Sequence, residues 1–375
     1  MSQGDSDRAK RIPSLDGLRA ISVVLVLVAH TAETRGFPSL GRFRWIPEKC
    51  GEFGVKVFFV ISGFLITSLL VQELAGKGSI SLRAFYLRRA FRIFPVYYFY
   101  LAVIFALVGL GVFSHKNDDA LFSLTYTMNY HYNRSWNVGH AWSLSVEEQF
   151  YLLWPAVMCF AGARRRVQVA MAVVLIGPIA RAVSWIIERR LGQSVGIGQT
   201  FPTVADALAV GCLLALLRDR IASLERYNAF LRSPWFALVP LTAVFAMLGT
   251  RVLAFNHTIA QTIINVSVCV TIDRCVRIPG GAVIRLLNSR PFVFIGTLSY
   301  SIYMWQQPFL NPENTSPILR FPYNLLFVLP AAYASYHLIE KPFLDLRVRL
   351  ERRFAKRAKA ARGGAQAAVA VRDAV

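Results

Sequence analysis

Arg19 and His30 stand eleven residues apart in an otherwise apolar run from Leu18 to Ala32. Eleven steps of about 100° make three turns plus roughly 20°, so a helix would put guanidinium and imidazole on one face, about 16 Å apart. A lone histidine on an apolar face reads as a satisfied structural residue. Paired on one stripe with an arginine, and with Asp16 one turn earlier, it reads as a functional residue.

The run His140-Ala-Trp-Ser-Leu-Ser-Val-Glu-Glu-Gln-Phe-Tyr151 supplies carboxylates. Ser145 followed three residues later by Glu148 reads as a capping box, which gives Glu148 a structural task at a helix start. Glu147 points about 100° away from it and is expected to face the bundle interior, orienting a histidine or relaying its proton. In Phe85-Tyr-Leu-Arg-Arg-Ala-Phe-Arg-Ile-Phe-Pro-Val-Tyr-Tyr98, a helix would gather Arg88, Arg89 and Arg92 on one side. Such a fork suits phosphate, and it equally suits anionic headgroups at a cytosolic stop signal. Lys56, beside Gly51, Gly54 and Gly63, is either a snorkelling side chain or a site residue. Arg181 and Asp206 either line one cavity or pair with each other. Tyr303, Gln306 and Gln307 are as well suited to anchoring at an interface as to ligand contact.

These residues need positioning by a membrane. The chain of 375 residues is 55% hydrophobic and 17% charged, with a mean hydropathy of +0.44, whereas soluble domains carry about 25% charged residues. The expected architecture is an all-α polytopic bundle with ten spans near 18–34, 54–74, 94–113, 146–163, 167–187, 201–217, 235–250, 258–273, 291–310 and 318–339. At about 20 residues each, ten spans would leave only loops. That excludes a secreted enzyme on one anchor and a large soluble module at either end. The organisation read from this is a cytosolic segment over 1–14, a membrane domain over 15–343 and a basic cytosolic tail over 344–375, disordered in its low-complexity end from Ala358.

The net charge of +21 follows the same frame. With both termini cytosolic, 29 of the 42 Lys and Arg residues fall inside, 9 outside and 4 within spans, as the positive-inside rule requires. Basicity therefore encodes orientation and not nucleic-acid binding. The first apolar run is not a cleaved signal, because Asp16, Arg19 and His30 interrupt it. Of the five cysteines, Cys159, Cys212, Cys269 and Cys275 lie in or at the inner end of expected spans and Cys50 stands alone in an outer loop, so they form no disulfide framework.

Together the six ordered segments, from Leu15-Asp-Gly-Leu-Arg-Ala20 to Ile339-Glu-Lys-Pro-Phe343, resemble acyltransferase family 3, multi-span enzymes that O-acylate sugars and polysaccharides. The Arg19-to-His30 spacing matches that family's hallmark, which implies that both are essential. The resemblance further implies that Arg88, Arg89 and Arg92 hold the phosphates of an acyl-coenzyme A co-substrate, with acetyl-coenzyme A foremost and no tightly bound cofactor. It also implies that Trp142, Ser143 and Glu147 join the histidine in the site. Many members carry a histidine in the ninth-span motif where this chain has Gln306 or Gln307. The expectation is an O-acetyltransferase of the bacterial cytoplasmic membrane acting on a carbohydrate or glycoconjugate, with His30, Arg19 and Glu147 catalytic. A transporter with a polar pathway is the alternative, disfavoured by the lack of an internal repeat.

Overall fold

A computed structural model describes residues 12–192, 195–248 and 256–353. Most of the segment 1–14 and the tail beyond 353, including the low-complexity end, lie outside those residues. Among the described residues the ten longest helices are, in order, α1 Pro13–Ala32, α2 Trp45–Lys77, α3 Leu82–Gly109, α4 Ala141–Phe160, α5 Ala163–Leu191, α6 Phe201–Ala222, α7 Leu238–Leu248, α8 Gln261–Arg277, α9 Arg290–Phe309 and α10 Leu325–Ser335. Among the described residues there is no strand, and the chain is a polytopic all-α membrane protein.

The ends follow local chemistry. Pro13 at the first position of α1 removes an amide that would have no partner, and Asp16 in the first turn complements the helix dipole. Gly78 closes α2 at φ +70°, a conformation that costs glycine little. Ser81 then caps α3 by accepting from the Ala84 amide.

Ten is not the span count that length and apolarity support. Among the described residues six helices meet both requirements, or seven if Glu225–Arg232 and Pro234–Leu248, bent by 75°, make one span. Helices α4, α9 and α10 are not among them: α10 is 11 residues long, and α4 and α9 are rich in polar residues. Helix α4 carries Glu147, Glu148 and Gln149, while α9 buries Ser299, Ser301, Tyr303, Gln306 and Gln307. Polar groups of this kind survive at membrane depth only against other protein or a wet cavity. Lipid-like apolarity is instead found on α5, where Leu175, Ile176, Ile179 and Val183 are exposed.

At the centre, α2 packs against α1 and α6, and α1 also packs against α9. The α2–α6 approach is set by reciprocal glycines: Gly63 lies on the backbone of Leu208, and Gly211 on the backbone of Val60. A side chain at either position would meet main chain, which cannot rotate away. Gly63→Leu is therefore expected to destabilise the bundle by about 1–3 kcal/mol or more, read as a lowered temperature of monodisperse elution in detergent. An unchanged elution profile would show that the two helices separate freely.

Candidate active site

A cavity of about 230 Å³ opens between α1, α2, α3, α4 and α9. Arg19 reaches it from α1, Arg89 and Arg92 from α3, Glu147 and Tyr151 from α4, and Ser62 from α2, above an apolar stretch that includes Ile61, Leu65, Leu69 and Ile93. Glu147 accepts a hydrogen bond from Ser62 Oγ at 2.5 Å, and the Tyr151 hydroxyl donates to the same Ser62 oxygen at 3.4 Å. The Arg89 guanidinium lies over the rings of Tyr151 and Phe85, at 5.5 and 5.7 Å. Its Nε is buried with no acceptor. None of the three arginines makes a hydrogen bond or salt bridge among the described residues. Glu147 is the one carboxylate in the lining, with Asp16, Glu148 and Glu340 within electrostatic range of the same arginines, and a buried donor such as the Arg89 Nε costs about 1–3 kcal/mol while it lacks an acceptor. An anionic ligand would meet that need.

Tyr303 forms part of the cavity wall. Its hydroxyl donates to the His140 carbonyl at 3.0 Å and shares a 2.5 Å hydrogen bond with Ser143 Oγ. His30 does not line the cavity. Its ring meets the indole of Trp136 edge-on, with centroids 5.3 Å apart, and its Nδ1 is buried without a partner. Gln306, three residues beyond Tyr303 and so on the same side of α9, stands beside His30. Reciprocal bonds between Trp136 and Gln307, indole to carbonyl at 3.0 Å and amide to carbonyl at 2.9 Å, fix the indole against which the imidazole rests. Tyr303 on the cavity wall and Gln306 beside His30 are thus one turn apart on α9.

A second histidine closes this region. His140 is 3% exposed, neither ring nitrogen has a partner, and its ring stands edge-on to Tyr100 and Tyr303, each at 5.4 Å. It lies within electrostatic range of His30. His140 is a residue that sequence reasoning missed. The signal was present, because His140 precedes Glu147 by seven residues, two turns of a helix. Ser62, Tyr151 and Glu340 were missed as well. Tyr151 lies one turn beyond Glu147, and Glu340 sits in the π turn Tyr336–Glu340, where it accepts from Ser301 at 2.8 Å.

Two expectations are corrected. Arg88 does not join Arg89 and Arg92: it pairs with Glu73 of α2 at 3.0 Å, because its place on the turn aims it at that neighbouring helix. The capping box is also absent. Helix α4 begins at Ala141, a turn earlier than the box requires, and Ser145 is already inside it, donating to Ala141 O and accepting from the Met128 amide. Glu148 is released from that task; its Oε1 is buried without a partner. Asp16 remains in the first turn of α1, where its backbone packs on Gly296.

Lys56, Trp142, Arg181 and Asp206 belong elsewhere. They line a second cavity of about 130 Å³. There Arg181 and Asp206 both pair, at 3.0 Å, and line the space. The two cavities share Val55 and Phe59 in their walls.

The acyltransferase family 3 model, described as an acyltransferase domain, matches residues 12–335. Among curated proteins the chain is similar to the O-acetyltransferase OatA of Staphylococcus aureus, 27% identical over 88% of this chain and 57% of that protein. It is also similar to the peptidoglycan O-acetyltransferase OatA of Listeria monocytogenes, 29% identical over 83% of this chain and 51% of that protein. The chain thus spans a little over half the length of these relatives. No solved structure matches it.

Proposed function

The chain belongs to acyltransferase family 3, and on that footing we propose that it is a membrane-bound O-acyltransferase moving an acyl group, acetyl foremost, from acyl-coenzyme A to a hydroxyl of a sugar or cell-surface polysaccharide. The bacterial cytoplasmic membrane is the proposed location. The observation that carries this reading is the cavity where Arg19, Arg89 and Arg92 converge on one lining carboxylate, Glu147, with the Arg89 Nε left without an acceptor.

In this scheme the donor's phosphates engage Arg89 and Arg92, the guanidiniums nearest the arginine-rich face of the bundle. The pantetheine arm lies along Ile61, Leu65 and Ile93 and brings the thioester toward Arg19 and Glu147. His30 removes the proton from the acceptor hydroxyl as that oxygen attacks the thioester carbonyl; the C–S bond breaks and coenzyme A leaves as the thiol. In the covalent variant His30 first takes the acyl group and then yields it to the acceptor. Glu147, held by Ser62, supplies negative charge among the arginines.

Purified protein in detergent, supplied with acetyl-coenzyme A, is expected to release coenzyme A only when a polysaccharide acceptor is present, and the acceptor is expected to gain the mass of one acetyl group. A transporter would release none. That result with a broad panel of glycans would end the enzymatic reading.

A further inference from the structure

The second cavity has its own chemistry, independent of the arginine-lined one. Its deep wall is built on α5, α6 and α8. Arg181, 2% exposed, donates to Thr203 O at 2.7 Å and to Thr262 Oγ at 2.7 Å, and Thr262 donates in turn to Asp206 Oδ2 at 3.0 Å. This network leaves several atoms unused. Asp206 Oδ1 and Asn265 Oδ1 are buried acceptors with no partner, on residues each 1% exposed. Both residues line the cavity, the Arg181 Nε of the same network is a buried donor likewise without a partner, and a group that donates and accepts hydrogen bonds, as a hydroxyl does, suits such a set.

Charge narrows the class. Lys49 is paired with Glu52 at 2.9 Å and Arg181 with Asp206, so both carboxylates are matched. Lys56 lines the cavity and makes no hydrogen bond or salt bridge among the described residues. One cation is therefore left for one anionic group. Trp142 and Phe59 meet edge-on at 6.1 Å and give the cavity an aromatic wall, as suits the C–H face of a sugar ring. Lys49 and Glu52 come from the first turns of α2, and Gln199 from the segment entering α6, so the mouth lies at the end of the bundle opposite the arginine-rich loops.

We infer that this second cavity is the acceptor pocket and that it takes a sugar ring bearing a single carboxylate, with Lys56 on the carboxylate and Asp206 and Asn265 accepting from its hydroxyls. This rests on the acyltransferase reading and adds to it the class and the place of the acceptor. Val55 and Phe59 line both cavities, so the acceptor pocket adjoins the donor cavity.

The test is a titration without donor. Full-length protein in detergent is mixed with an oligosaccharide of alternating glucuronic acid and N-acetylglucosamine, or with the same oligosaccharide after its carboxyls are reduced to alcohols, and binding is followed by saturation-transfer NMR. Wild type is expected to bind the acidic form at least tenfold more tightly than the reduced one. Lys56→Met should erase that preference, and Lys56→Arg should retain most of it. Asn265→Ala should weaken both forms alike. Elution as a single species and unaltered coenzyme A binding report that each variant is folded. Equal binding of both oligosaccharides by wild type, an unchanged preference in Lys56→Met, or full displacement by millimolar inorganic phosphate alone would each overturn the assignment. Failure of the enzymatic reading would look different: no coenzyme A released with any glycan, whatever the sugar titration shows.

Discussion

His30→Ala is expected to slow acceptor-dependent release of coenzyme A by about 10²–10⁴-fold, the usual contribution of a positioned general base, with donor binding unchanged. The expectation follows from position. The imidazole rests against an indole fixed by Gln307, has an unpartnered Nδ1, and stands beside Gln306 on the strip of α9 that begins at the cavity wall with Tyr303. A histidine kept only for packing would tolerate a ring of similar shape. His30→Phe, which preserves the aromatic contact and removes the nitrogens, separates the two cases: it should be as slow as His30→Ala if the nitrogens act, and near wild type if only packing matters. His140 provides a second comparison. Were His30→Ala to keep more than a third of the wild-type rate while His140→Ala lost it, the reacting imidazole would be the one at the start of α4. Either result is read by coupling released thiol to a chromogenic reagent in the presence of the glycan.

Much of this site was legible in the sequence because a bilayer makes polar residues rare, and rare residues are conspicuous. Arg19, Arg89, Arg92, Glu147 and Tyr303 do share one cavity. The Arg19-to-His30 stripe was read from helical periodicity alone, which describes the face of one helix but not what packs on it. Periodicity therefore could not say that Tyr303 would occupy the space beside Arg19 while His30 was enclosed by Trp136 and Gln306. Arg88 shows the same limit. Its spacing to Arg92 is favourable for a shared face, yet Glu73 on a different helix decides where it turns. Lys56 and Asp206 lie 150 residues apart in sequence, and only the reciprocal glycine contact of α2 with α6 sets them in one cavity. Length and apolarity alone single out fewer spans than ten for a related reason. A window of hydropathy reports lipid exposure, and α4 and α9 are sheltered helices whose polar faces serve the cavity.

The arginines give the second large effect. Arg89→Ala with Arg92→Ala should raise the donor's KM by about 10- to 100-fold, since each charge-assisted contact to phosphate contributes about 1.5–3 kcal/mol and the two share one ligand. The maximal rate with saturating donor should fall far less, because these groups bind the same phosphates in ground and transition states alike. Salt provides an independent readout. Wild-type KM for acetyl-coenzyme A should rise between 50 and 500 mM added salt, on the order of the shortening of the Debye length, and the double variant should respond weakly. Arg88→Ala is the internal contrast: already paired with Glu73, it should change donor KM by less than about threefold while loosening the α2–α3 junction. If Arg88→Ala raised KM as much as the double variant, the phosphate fork would include all three residues and the Glu73 pair would be one that the donor displaces. If neither moved it, the donor would enter by another route and the unpartnered guanidinium of Arg89 would serve something else.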